Sequence, residues 1–315
     1  DQLHCGIYLL SNKTISYVTD CYMNAYSNTC PVYVSKKDKL YNWGSKFLAV
    51  FSNNTWKKVE TSLSADKTAV FETQDSVYFY YNNSLCSIDN SDNIVIKDIN
   101  IPDLNQINQA SFHYALWGKE TAFFITPNKG TILMNLTTGE KTVLPESLKK
   151  LFSDIVNPRL NSISNGDVLL YSGSGSQSFK MKIITSDGQI NEIESPQSIT
   201  NLTVYSRSNS ALPVLSDNSF WISSIRGGLI HIKDNKAEIY DWRSGAPMTT
   251  VTNIEYGIGD VIYANTGNAL YTFDPNGKIN PDDEMIKNWN EYEISNAGSI
   301  QDSKGRIWCF LLDHP

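Results

Sequence analysis

Three features of the sequence predict an all-β fold made of many small sheets. The first is composition. Of 315 residues only 19% are charged, while 11% are aromatic, with 17 Tyr, 12 Phe and 7 Trp. Aromatic side chains favour strands over helices. The second is a phrase that recurs along the chain: turn, apolar strand, loop, second strand, tight turn, third strand. Six full copies align, with their second strands starting near residues 40, 77, 122, 168, 220 and 261. The third is a further copy divided between the two ends of the chain. A period of about 45 residues with four short strands per unit is the signature of a β-propeller. The expectation is therefore a seven-bladed β-propeller of four-stranded blades, a single domain over residues 1–315.

The copies follow in order as residues 36–60, 73–99, 118–144, 164–193, 216–240 and 257–280. The last of these, "GIGDVIYANTGNALYTFDPNGKIN", shows the grammar. "VIYA" and "ALYTF" read as strands around the loop "NTGN", and "DPNGK" is a hairpin turn. Pro275 presets φ for its second position, Asn276 tolerates the third, and Gly277 supplies the positive φ that closes it. The seventh copy begins with "SIQDSKGRIWCFLLDHP" (299–315), which holds two strands and stops. "LHCGIYLLSNKTISYV" (3–18) supplies the other two. A closing blade formed by 296–315 and 1–18 leaves no half-built blade with an exposed edge.

Charge and hydropathy exclude two partner classes. The formal net charge is −7, and the short positive patch "SKKDK" (35–39) reads as a solvated turn, so no nucleic-acid partner is expected. Apolar runs such as "SVYFYY" are strand-sized, far short of the ~18 residues of a membrane helix, so no membrane insertion is expected. A chain opening on Asp1 reads as a mature product whose leader has been removed.

The five cysteines are Cys5, Cys21, Cys30, Cys86 and Cys309. With no CxxC pair, a zinc cluster is not expected. In the closing blade Cys309 lies on the second strand and Cys5 opens the third, so a Cys5–Cys309 bridge is expected across neighbouring antiparallel strands. Cys21 and Cys30 bracket "YMNAYSNT" and suit a local bridge, leaving Cys86 as a buried thiol. Two bridges imply an oxidising compartment; five reduced cysteines are the alternative. Sequons begin at Asn12, Asn53, Asn82, Asn135 and Asn201, a number that composition alone accounts for, so they permit glycosylation without arguing for it.

The units "FWISSIRGGLIHIKDNKAEIYDWRSGAPMTTVTNI" and "SIQDSKGRIW" resemble the two-component-regulator propeller repeat. That repeat runs D-x-x-G-x-[IL]-W, then a G-[GL]-L-x-x-[IFY] strand, a turn, an aromatic-ended strand, and a small loop with Pro. Asp302, Gly305, Ile307 and Trp308 fit its first half. Gly227, Gly228, Leu229, Ile232, Tyr240, Pro247, Val251 and Ile254 fit the second. The likeness is good over about 216–315 and the first 18 residues. It implies an extracytoplasmic sensor domain that binds ligands such as glycan fragments.

The search for chemistry returns no catalytic motif. "SGSGSQS" (172–178) is neither G-x-S-x-G nor a phosphate-cradling loop, and "PDDE" (281–284) lacks Ca²⁺-loop spacing. No cofactor or metal is expected. His231 alternates within "LIHIKD" and reads as a strand side chain; His4 and His314 flank the termini. In a propeller, loops between blades and loops between second and third strands share one face. Those loops carry Tyr22, Trp43, Tyr81, Arg226, Trp242, Arg243 and Trp289. Trp, Tyr and Arg dominate hot spots and stack on sugar rings, although each aromatic can instead wedge between blades. The expected function is a non-catalytic extracellular or periplasmic binding propeller that recognises a glycan, small ligand or protein through this face. The alternatives are a propeller-type glycoside hydrolase or lyase, drawing on Glu255, Asp260, His113 or Glu120, and a structural subunit of an extracellular assembly. Fold alone does not choose between them.

Overall fold

A computed structural model describes residues 4–11, 14–20, 32–35, 37–44, 46–61, 63, 68–81, 84–99, 113–126, 130–172, 180–194, 212–224, 228–244, 253–256, 260–265, 270–274, 278, 299–301 and 306–313. The chain divides into two compact units, one of Asp1–Thr68 with Val251–Pro315, the other of Ala69–Thr250. Among the described residues there are seven antiparallel sheets, five of four strands and two of three. No helix among them is long and apolar enough to cross a membrane.

In the first unit, the strands at the start of the chain are β1 (His4–Ser11), β2 (Thr14–Asp20), β3 (Val32–Val34), β4 (Leu40–Gly44), β5 (Phe47–Ser52) and β6 (Thr55–Glu60). Those at its end are β22 (Asn253–Tyr256), β23 (Ile262–Asn265), β24 (Leu270–Phe273), β25 (Ser299–Gln301) and β26 (Ile307–Asp313). One sheet has the order β2-β1-β26-β25, with β1 antiparallel to β26, so both ends of the chain build one sheet as the divided copy predicts. The others are β3-β4-β5-β6 and β22-β23-β24. Trp56 Nε1 donates to Thr19 Oγ1 at 3.2 Å, tying β6 to β2. Asn53 and Asn54, both at positive φ (51° and 59°), turn β5 into β6. The ends of the "DPNGK" turn are bonded as a hairpin requires. Asp274 N–H donates to Lys278 O at 2.9 Å, and Lys278 N–H to Asp274 Oδ1 at 2.8 Å.

The same register corrects the predicted Cys5–Cys309 bridge. Cys5 pairs with Leu312, and Cys309 pairs with Tyr8. The two cysteines are thus three positions out of register, roughly 10 Å along the strand. A disulfide needs Cα atoms within about 7 Å, and an odd offset places two positions on opposite faces of the sheet. The strands pair as expected, but three residues too far along for the bridge. Cys21 and Cys30 lie outside the described residues.

The second unit has four sheets in chain order. β7 (Ala69–Glu72), β8 (Ser76–Tyr81), β9 (Ser84–Asp89) and β10 (Ile94–Asp98) form one; β11 (His113–Trp117), β12 (Thr121–Thr126), β13 (Gly130–Asn135) and β14 (Lys141–Thr142) form the next. β15 (Pro158–Ser162), β16 (Val168–Ser172), β17 (Met181–Ile184) and β18 (Ile190–Ile193) follow, then β19 (Phe220–Ser224), β20 (Gly228–Lys233) and β21 (Lys236–Tyr240).

The two-residue period of a strand makes each sheet serve two cores. Ala122 and Phe124 of β12 pack with Phe71, Tyr80 and Tyr114, while Phe123 and Ile125 pack on the other side with Val168 and Leu170 of β16. Leu169 and Tyr171 of β16 then face Phe220, Ile222 and Ile230. Each such side chain contributes about 1.5–3 kcal/mol when fully buried. Outer strands show the opposite pattern: β10 is exposed along most of its length, with Lys97 on that edge, a charge that discourages pairing with other chains.

One element interrupts the β pattern. α1 (Glu146–Ser153) follows Pro145 and sits between β14 and β15, in a stretch that no repeat copy covers. Leu148 and Leu151 are its buried residues and join the core beneath β12 and β16. Glu146 in the first turn and Lys150 in the last complement the helix dipole.

Candidate functional site

The turn after β21 carries two of the predicted binding residues, Trp242 and Arg243. Its entry is set by Gly228, at φ +70°, where an added Cβ would run into the carbonyl oxygen of Tyr240 and the Cα of Asp241. Only glycine holds that conformation at no steric cost. Past Tyr240 the chain makes a short 3-10 turn, Trp242–Ser244. Ser244 N–H donates to Asp241 O at 3.0 Å, and Ser244 Oγ donates to Ile239 O at 3.1 Å.

Asp241 organises this turn. Its Oδ1 accepts from Arg243 N–H at 2.8 Å and from Nε at 3.1 Å; its Oδ2 accepts from Nε at 2.8 Å and Nη2 at 2.5 Å. The Asp241 side chain is 7% exposed and that of Arg243 55%. The guanidinium therefore holds the Asp241 carboxyl below the usual range, and is itself pushed up by the carboxylate. A fork fixed on one edge keeps donors free on the other. Arg243 is thus an exposed, pre-oriented hydrogen-bond donor whose charge is largely balanced.

The other predicted residues separate into three groups. Trp43 is in the core: it is 1% exposed on β4, a strand buried along its whole length, with Leu48 opposite. An indole at the end of a strand buries most area by turning inward, so the reading of Trp43 as a loop-face contact is corrected. Tyr81 is half-buried at the last position of β8, where the chain leaves for the second-to-third-strand loop. Trp242 opens the 3-10 turn beside Arg243. Tyr22, Arg226 and Trp289 lie outside the described residues.

Of the sequons, Asn53 is exposed in its turn. Asn135 is half-buried, its Oδ1 accepting from the N–H groups of Thr137 and Thr138 at 2.9 Å each and its Nδ2 donating to Glu120 at 3.5 Å. Asn12, Asn82 and Asn201 lie outside the described residues. Cys86 is 1% exposed and free, its thiol pushed up to about 12 by burial.

His231 behaves as the strand side chain expected of it. Its ring stacks on Trp221 at 4.3 Å, with Tyr240 edge-on at 6.3 Å. Burial lowers its pKa against the opposing pull of Asp217 and Glu238. Among the described residues, no group of three or more His, Cys, Asp or Glu could hold a metal ion. One functional candidate escaped sequence reasoning. Asp241 precedes the predicted "WR" pair, and its Asx-type turn is a signal that could have found it.

No family model matches the chain, and no curated protein matches it either. Solved structures do. A catalytically inactive virginiamycin B lyase from Staphylococcus aureus, crystallised with quinupristin, matches with a TM-score of 0.58 at 15% identity, over 93% of this chain and 98% of that one. The extracellular domain of a hybrid two-component system from B. thetaiotaomicron matches with a TM-score of 0.57 at 13% identity, over 92% of this chain and 39% of that one. PorZ, a bacterial surface component of the type-IX secretion system of Porphyromonas gingivalis, matches with a TM-score of 0.55 at 13% identity, over 96% and 49%. The chain thus spans the lyase almost completely and less than half of the other two. At these identities the likeness speaks for architecture: this is an all-β chain of the propeller type.

Proposed function

We propose that the chain is a non-catalytic binding propeller working outside the cytoplasm, in an extracellular or periplasmic setting. It recognises a glycan, small ligand or protein through the loops that link its sheets. In this reading the seven sheets are seven blades of one ring, and the sheet shared by the two ends of the chain closes it. The observation that carries the reading is Arg243, exposed yet locked by a buried carboxylate on such a loop. A surface arginine without a binding role gains little from being held so firmly, whereas a pre-oriented donor lowers the ordering cost of recognition. Tyr81, half-buried where β8 ends, is a further candidate contact in this reading, and the extracellular domain and the bacterial surface component among the structural neighbours support the setting. Glycosylation belongs to this reading at Asn53, the exposed sequon among the described residues.

The test is a glycan array of neutral and acidic oligosaccharides probed with the wild-type protein and with Arg243→Ala. Hits that weaken about tenfold or more in the variant support the reading. Hits unchanged by it, or none at all, remove this loop as the site. A second reading, catalysis, is favoured by the near-complete match to a lyase. Incubation with quinupristin, followed by chromatography, decides it: a new product peak supports catalysis, and an unchanged profile rejects that substrate.

A further inference from the structure

β10 is the outer strand of its sheet, paired to β9 alone. The register of that pair fixes which of its backbone groups face outward. At the mouth of the hairpin, Asp89 N–H donates to Asn93 O at 3.1 Å. Bonded positions alternate along an antiparallel ladder, so Val95 bonds to Ser87 and Lys97 to Leu85. The N–H and C=O groups of Ile94, Ile96 and Asp98 therefore point away from the sheet. Among the described residues, none of these outward groups has a hydrogen-bond partner.

That edge is also apolar. Val95 and Ile96 are each 48% exposed, one on either face of the sheet. Other outer strands are guarded in the ways that proteins ordinarily use. β6 exposes Lys57, Lys58 and Glu60, and β14 is two residues long. β18 runs into a bond with the next sheet, where Ala237 N–H donates to Glu194 O at 2.9 Å. On β10 the guard is Lys97, whose Nζ is drawn aside to Thr137 O at 3.1 Å, in the turn after β13. It leaves Ile94, Val95 and Ile96 open.

We propose that β10 pairs antiparallel with β10 of a second copy of this chain, joining two sheets into one across a twofold axis. Such a contact is self-complementary and closed. Outward-facing residues bond only to outward-facing ones, and charge selects where the axis falls. Centring on Lys97 sets it against the partner's Lys97, and centring on Val95 sets Asp98 against the partner's Asp92. Like charges directly opposite one another are unfavourable. Centring on Ile94 or Asp98 runs half of each strand past the end of the other. Centring on Ile96 does none of these. Ile96 then meets the partner's Ile96, Ile94 meets the partner's Asp98, and Val95 meets the partner's Lys97. Every outward N–H and C=O from Ile94 to Asp98 is bonded in that register. Lys97 thus discourages indiscriminate pairing while admitting one arrangement. The contact uses no residue of the Arg243 turn and stands or falls independently of it.

The experiment is sedimentation velocity over a range of protein concentrations, in moderate salt to screen the −7 charge of each copy. Wild type is expected to pass from monomer to dimer and no further, because the contact consumes the β10 edge of each chain. Ile96→Lys sets two ammonium groups face to face on the axis and is expected to weaken the dimer about tenfold or more, with its folded state checked by urea unfolding. Oxidative cross-linking reads the register, with wild type as the baseline for the native cysteines. Ile96→Cys is expected to link to its own counterpart, because directly opposed Cα atoms lie about 5.5 Å apart. Val95→Cys is not, because its two copies are displaced by roughly 7 Å along the strands as well as across them. Four results would overturn the pairing. They are a monomer at every concentration, which would leave the edge to a strand of another protein; growth beyond the dimer; an unchanged dimer in folded Ile96→Lys; and Val95→Cys linking as readily as Ile96→Cys. The wild-type sedimentation and the cross-links stand even where Ile96→Lys does not fold.

Discussion

Gly228 lies against the carbonyl oxygen of Tyr240, so close that a methyl group on Gly228 has no place to go. Its φ of +70° already excludes most side chains without strain. The obstacle is backbone, which cannot rotate aside as a side-chain tip can. Gly228→Ala is therefore expected to destabilise the protein by about 1–3 kcal/mol. It also displaces the turn that seats Asp241 and Arg243, so any ligand contact made by Arg243 weakens with it. Urea unfolding reads the first effect, and binding of an array hit the second.

Two carboxylates make the protein acid-sensitive in a defined window. Lys233 and Ser219 hold Asp217 down to about 2, and Arg243 lowers Asp241. A carboxyl whose folded-state pKa is depressed stabilises the fold at all pH values above its unfolded pKa, about 3.9. That contribution disappears as pH falls through the folded-state value. Wild type is therefore expected to exceed Asp217→Asn in stability by a constant margin near neutral pH. The margin shrinks below about pH 4 and is gone near pH 2. Urea midpoints measured across that range test it; a margin independent of pH would show that the effect of Asp217 is not electrostatic.

Trp117 fastens one sheet to the next. Its Nε1–H donates to the carbonyl oxygen of Thr185 at 2.8 Å, while Ser162 Oγ accepts from Leu116 N–H nearby. Trp117→Phe keeps the apolar body and deletes one donor, at a cost of about 1 kcal/mol. Ser162→Ala strands a backbone N–H and is expected to cost about 1–3 kcal/mol. The two lie on the same seam, so the double variant is expected to fall short of additivity. Strict additivity would show that the bonds act separately.

The cysteines offer a covalent check of register. Cys86 is expected to resist thiol reagents in the folded protein and to react after denaturation, because its thiol is buried and its pKa high. Peptide mapping without reduction is expected to recover no Cys5–Cys309 link. Finding that link would mean β1 and β26 pair with a different register from the one described.

Trp43→Ala tests the core assignment of that residue. Removing a nearly fully buried indole is expected to cost about 3–5 kcal/mol, far more than losing a solvent-facing ring. A change below about 1 kcal/mol would return Trp43 to the surface.

Much of the architecture was legible because it is local. Strands such as β12 and β16 declare themselves by runs of apolar residues, and turns by Asn, Asp and Gly at positive φ. The pairing of β1 with β26 was legible for a different reason: each end held the half of a unit that the other lacked. α1 was not, since it falls where the repeat lapses and is only eight residues long.

What the sequence by itself determined is therefore the alphabet of strands and turns, the repeat, and the joining of the two ends in one sheet. These follow from φ/ψ preference and a two-residue apolar period, both short-range. The tertiary structure alone decided the fate of individual side chains. Whether Trp43 meets solvent or core depends on what packs over β4. Whether Cys5 meets Cys309 depends on a register set by the whole ladder. Trp117 and Thr185 are 68 residues apart in the chain and meet only when the two sheets that carry them pack together. Proximity across sheets is a property of packing, and no local pattern encodes it.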